Sequence, residues 1–328
     1  FEKKGRKAMV KPIIKYEQLD LKELSKKSYG DDLELETRVA EIISLVKKQG
    51  DKALRELTLK FDGVDLAETG IKVTRTEFES AYKQVSQGFL KALRQAKENI
   101  KEYHERQKRN SWLKTADDGT VMGQLIRPLQ RVGIYVPGGT AAYPSSVLMN
   151  ALPAAVAGVE QIVMVSPPRP DGSVSPQVLV AAAECGIEEV YKIGGAQAIA
   201  ALAYGTETIS PVDKITGPGN IYVTLAKKQV YGIVDIDMLA GPSEILILAD
   251  HTGQPEELAA DLLSQAEHDE LASAILISPD RALLENTVKE VERQIKLLPR
   301  SEIAEKAWEK YGAAILVRDL EQGMEIGR

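Results

Sequence analysis

From residue 120 onward the sequence repeats one pattern: a short run of β-branched and aliphatic residues, then glycine or proline, then a helical stretch. Runs at 121–127, 131–136, 162–165, 189–193, 213–216, 245–249, 274–277 and 313–317 read as strands. Stretches at 177–184, 197–204 and 256–268 read as helices between them. Strands alternating with helices predict an α/β fold with parallel sheets, because parallel neighbours need a crossover after each strand.

The N-terminal third lacks this alternation and reads as helix. Leu35, Val39, Ile42, Ile43 and Val46 recur at helical spacing, Gly50 stops that helix, and Asp51 can cap the next. Phe89, Leu93, Ala96, Ile100 and Tyr103 share one face of a further long helix whose other face is charged. These helices are expected to form a packing layer.

With 328 residues, the chain is long enough for roughly two domains. The formal charge of −6 gives no support to a general nucleic-acid binder. A single cysteine, Cys185, rules out an internal disulfide and fits a reducing cytoplasm. The longest apolar stretch, 151–159, is far shorter than the roughly 20 residues of a membrane span. Residues 1–11 are basic with no apolar run behind them, unlike a secretory signal.

Parallel sheets bind ligands beyond the carboxyl ends of their strands, and there the sequence places Gly138-Gly139, Gly194-Gly195, Gly217, Gly219 and Gly241. Glycine lets a backbone approach a ligand closely, although each pair alone also reads as a tight turn. No Gly-x-Gly-x-x-Gly fingerprint or Walker loop is present, so no motif argues for a dinucleotide. Of three histidines, His104 lies on a solvated helix face and His251 at a strand end. His268 lies near the end of an amphipathic helix, three residues after Gln265. That spacing puts an imidazole and an amide on one face, a partial metal site or a helix-terminal histidine facing the dipole. Cys185 has no basic sequence neighbour and reads as a structural thiol.

Several longer motifs then occur in one order: Ile134-Tyr135-Val136-Pro137-Gly138-Gly139, Gly194-Gly195-Ala196-Gln197-Ala198-Ile199-Ala200, Gly217-Pro218-Gly219-Asn220, Ala240-Gly241-Pro242-Ser243-Glu244 and Ser264-Gln265-Ala266-Glu267-His268-Asp269. Together they resemble the histidinol dehydrogenase family, from about Leu35 to the end of the sequence. The resemblance implies two Rossmann-like parallel-sheet domains with N-terminal helices. It places a tail at 1–30, a first α/β domain at 31–130 plus 240–328, and an inserted second domain at 131–239. It further implies a cytoplasmic, zinc-dependent, four-electron oxidation of L-histidinol to L-histidine by NAD, the last step of histidine biosynthesis, in a homodimer with shared active sites. Carried over by position, Tyr135, Gln197 and Asn220 match NAD contacts, Ser243 a substrate contact, and Gln265 and His268 zinc ligands that also face the substrate.

One departure follows from the same resemblance. The family's Glu-His proton-acceptor pair, and its remaining zinc ligands, an Asp and a His, lie beyond Arg328. The sequence as written is therefore expected to resemble a C-terminally truncated member that neither binds zinc tightly nor oxidises histidinol. The alternative reading is a non-catalytic ligand-binding or scaffold subunit of the same fold.

Overall fold

A computed structural model of the chain describes residues 11–18, 33–138, 142–241 and 243–327. Along the chain the strands are β1 (Ile13–Lys15), β2 (Trp112–Thr115), β3 (Val121–Gln124), β4 (Arg131–Tyr135), β5 (Gln161–Val165), β6 (Glu189–Tyr191), β7 (Lys214–Thr216), β8 (Asp235–Ile236), β9 (Glu244–Leu248), β10 (Ser273–Ser278) and β11 (Gly312–Leu316). The chain divides into two compact units, 29–240 and 1–28 with 241–328.

The larger unit is built on a five-stranded sheet in the order β6-β5-β4-β7-β8, and all of its pairings are parallel. Alternation along the strands feeds two cores. Tyr135, Val163, Val165 and Tyr191 point to one face, and Ile134, Val136, Met164 and Val190 to the other. On the first face lie Val39, Ile43 and Val46 of the helix Leu33–Gln49, with Leu54 and Leu57 of the helix Asp51–Asp62. Each fully buried aliphatic side chain of this kind contributes on the order of 2 kcal/mol. The second face is covered by the helices Pro144–Ala157 and Pro176–Glu184, together with Leu93 of the helix Gln87–Glu105.

The resemblance groups the helices between residues 33 and 105 with 240–328, whereas their apolar faces pack on the sheet of the 29–240 unit. The expected helix face also shrinks at its end, because Tyr103 is exposed. Only β3 forms within the expected strand 121–127, and it pairs antiparallel with β2 in a two-stranded ribbon whose side chains are all exposed. Without a layer on either face, the ribbon belongs to neither parallel sheet.

The smaller unit carries a second parallel sheet, in the order β1-β11-β10-β9. Leu276 packs with Leu262, Leu284, Val288 and Trp308 on one face. Ile277 and Ile315 face the other way, with Ile326 of the helix Leu320–Ile326 against them. The expected N-terminal tail at 1–30 therefore contains a strand: β1 adds to the edge of this sheet through Ile13, Ile14 and Lys15. Residues 1–10 and 19–32 lie outside the described residues.

Candidate active site

In the larger unit the chain enters the sheet at its central strand, β4, then builds outward to β5 and β6 before crossing back to β7. The reversal creates a topological switch point, where a crevice opens beyond the carboxyl ends of the strands. A cleft of about 440 Å³ lies there. Tyr135 ends β4 and Pro137 follows it, Pro167 and Pro168 follow β5, Gln197 follows β6 and Asn220 follows β7. Ile42, Phe61 and Asp62, from the N-terminal helices, complete the wall. Tyr135, Gln197 and Asn220, expected from sequence to act together, thus line one space.

Tyr135 is buried, and its hydroxyl oxygen accepts a hydrogen bond of 3.1 Å from the Gly195 backbone N–H. Burial pushes its phenol up to about 12, with the nearby Asp62 charge adding to the effect, so the hydroxyl keeps its proton. Gly195 opens the helix Gly195–Tyr204 at a φ of +61°, and no side chain caps that N-terminus. With its own N–H given to Tyr135, the next amides, of Ala196 and Gln197, face no capping side chain and can meet a ligand, as at anion-binding helix starts. Gln197 is buried, and its amide bonds to no other described residue. The Oδ1 atom of Asn220 accepts from the Val223 N–H at 3.2 Å, capping the helix Ile221–Val230. Capping turns the Asn220 carbonyl inward and leaves its NH₂ group as the donor it can offer.

The turn carrying Asn220 is held from beneath. Gly217 stands at a φ of +113°, where a Cβ would lie 2.2 Å from the Tyr135 carbonyl oxygen. Its N–H donates to Asp237 Oδ2 at 2.8 Å, and its carbonyl accepts from Lys227 Nζ at 3.1 Å. Lys227, buried, also pairs with Asp237 Oδ1. Sequence reading missed both residues, since a lysine within the amphipathic run 221–230 reads as solvated.

Asp62 was missed as well. It ends the helix Asp51–Asp62, and Gly63 follows in the left-handed region at φ +69°. Its Oδ2 atom is buried without a hydrogen-bond partner among the described residues. Burial pushes the carboxyl up to about 6. The available signal was an acidic residue at the negative end of a helix dipole, where a carboxylate is disfavoured.

In the smaller unit, Ser243 is exposed just before β9. The helix expected at 256–268 spans Pro255–Ala266, so Gln265 sits in its last turn and His268 in the turn beyond. The His268 N–H bonds to the Gln265 carbonyl at 3.1 Å, which keeps the two residues adjacent; Gln265 is half-buried and His268 exposed. No group of three or more His, Cys, Asp or Glu placed to hold a metal exists among the described residues. An imidazole and an amide supply two donors, fewer than the four that a tetrahedral zinc takes. Gly139 and Pro242 lie outside the described residues.

The remaining candidates stay bland. His104 packs edge-on against Tyr103 and contacts Gln107 at 2.7 Å. His251 is exposed in a turn. Burial pushes the Cys185 thiol up to about 11, which leaves it protonated and unreactive near neutral pH. No described helix is long and apolar enough to cross a membrane.

A parallel sheet with its cleft at the switch point, in a chain that also carries a second parallel-sheet unit, defines a doubly wound α/β protein, a class whose ligands sit at strand ends. The histidinol dehydrogenase family profile matches residues 25–327. The histidinol dehydrogenase of Moorella thermoacetica is 59% identical over 311 residues, covering 94% of this chain and 73% of the relative. That of Bacillus subtilis is 58% identical over 287 residues, covering 88% and 67%. The crystal structure of histidinol dehydrogenase from Elizabethkingia anophelis superimposes with a TM-score of 0.85 at 40% identity, covering 94% of this chain and 70% of that one. The chain belongs to the histidinol dehydrogenase family, oxidoreductases of histidine biosynthesis.

Proposed function

We propose that the cleft of the larger unit holds NAD and that the smaller unit grips L-histidinol and zinc, in a cytoplasmic homodimer with shared active sites. The observation that carries this reading is the convergence of Tyr135, Gln197 and Asn220 on one switch-point cleft. The cleft suits a dinucleotide: uncapped amides at the start of the helix Gly195–Tyr204 favour phosphate, and Pro137, Pro167, Pro168 and Phe61 form apolar walls for flat rings. Gln265 and His268 are the residues that would hold zinc.

NAD, when bound, would supply the hydride acceptor for the oxidation of the alcohol and of the hydrated aldehyde, and zinc would supply a Lewis-acid anchor for the substrate's imidazole and amine. This chain's own residues position. Tyr135 keeps its proton and fixes the Gly195 turn through the 3.1 Å bond. Asn220 and Gln197 offer amide groups to the cofactor, and the buried Lys227–Asp237 pair holds the Gly217 peptide that sets Asn220 in place. Ser243, Gln265 and His268 would supply a hydroxyl, an amide and an imidazole to substrate and metal.

Calorimetric titration with NAD⁺ tests the reading. Gln197→Ala and Asn220→Asp should weaken binding about tenfold or more; the aspartate keeps the helix cap but replaces the NH₂ donor with a negative charge. Unchanged affinity in both variants would overturn it. For the zinc half, which has two of the four donors, only a large excess of zinc should raise the melting temperature of the wild type, and that gain should vanish in Gln265→Ala and His268→Ala.

A further inference from the structure

We infer that Asp62 reads the adenosine ribose of the bound dinucleotide, accepting hydrogen bonds from a free 2′,3′-diol and rejecting a 2′-phosphate. The inference rests on the NAD reading above and extends it to a residue that reading does not use.

Three observations lead there. Asp62 lines the same cleft as Tyr135, Gln197 and Asn220. Its Oδ2 atom is buried yet has no donor among the described residues. Its position at the last turn of the helix Asp51–Asp62 sets a negative charge against the negative end of that dipole. A buried carboxylate oxygen without a donor costs stability, and nothing in the described fold offsets it. The adjacent cation does not: Lys60 Nζ lies 5.3 Å from the Phe61 ring centroid and makes no ion pair with Asp62 among the described residues. A donor that arrives with the ligand would fill that place.

A dinucleotide brings ribose hydroxyls and an adenine amine. The diol is the better match, because two hydroxyls can satisfy both oxygens of one carboxylate. An acidic residue on a ribose is also how many dinucleotide sites distinguish the diol from a 2′-phosphate, which meets the carboxylate as like charge. The walls beside Asp62, with Ile42, Phe61 and Pro168, are apolar and suit a flat purine next to that ribose.

The test is a titration of the full chain with NAD⁺, NADP⁺ and nicotinamide hypoxanthine dinucleotide, the last replacing the adenine amine with a carbonyl. Wild type should prefer NAD⁺ over NADP⁺ by at least tenfold. Asp62→Asn should lose about tenfold in NAD⁺ affinity and narrow that preference by tenfold or more, while melting no lower than wild type. Asp62→Ser should narrow the preference as well. An unchanged NAD⁺/NADP⁺ ratio in both variants, with NAD⁺ still bound, overturns the assignment and leaves the NAD reading standing. Discrimination against the hypoxanthine analogue that Asp62→Asn relieves, with NADP⁺ unaffected, moves the contact to the adenine amine and overturns the ribose reading. If wild type binds neither NAD⁺ nor NADP⁺, both readings fall together.

Discussion

Lys227 and Asp237 grip opposite ends of one residue: the ammonium donates to the Gly217 carbonyl at 3.1 Å, and the carboxylate accepts the Gly217 N–H at 2.8 Å. The two side chains also pair with each other. Removing one partner strands the other charge. Lys227→Met is expected to lose about 3–5 kcal/mol in urea unfolding. Lys227→Arg should restore part of the stability and more of the NAD⁺ affinity, since a guanidinium can still reach both acceptors. Equal stability of the Met variant and wild type would refute the clamp.

Two glycines with positive φ separate strain from collision. At Gly217 a Cβ would sit 2.2 Å from the Tyr135 carbonyl oxygen, whereas at Gly232, with a φ of +96°, nothing lies within 4 Å. Gly232→Ala should cost about 1–2 kcal/mol from backbone strain alone. Gly217→Ala should cost more and should also abolish NAD⁺ binding, because the turn carrying Asn220 must shift. Thermal melts and titration of the pair check this.

Asp62 gives a pH signature. Its carboxyl rises from 3.8 to about 6 on folding, so ionisation opposes the folded state. The penalty is absent below pH 3.8, grows between the two values and is complete above about 6. Without ligand, Asp62→Asn should therefore melt higher than wild type at pH 7.5, and the gap should close near pH 4. A gap constant across that range would count against the burial of this group.

His268 is exposed and its backbone, not its ring, makes the contact to Gln265. His268→Ala should leave metal-free stability within about 0.5 kcal/mol of wild type. Loss of zinc-dependent stabilisation without loss of intrinsic stability, read from melts with and without zinc, is the expected pattern.

Much of this was legible before any coordinates. The strands β4, β5, β6, β7, β10 and β11 are apolar runs closed by glycine, proline or a polar turn, and periodicity finds such runs. The two-residue β8 and three-residue β1 carry too little pattern to register. Nor does an amphipathic face state which sheet it covers: Val39 and Ile43 announce burial, but only packing reveals that Ala198 and Ile199 are in their cluster. Tyr135, Gln197 and Asn220 were found through long motifs. Asp62 and Lys227 were not, because a single charge signals its role only through what surrounds it in space.

The cleft draws Ile42 and Asp62 from the N-terminal helices and Asn220 from beyond the fourth strand of the sheet to be made, β7. Segments nearly 180 positions apart must therefore be assembled before a cofactor finds its full set of contacts. Cofactor capture would act as a checkpoint on completed assembly: a nick between residues 33 and 62 would silence it even where every strand of the sheet survived.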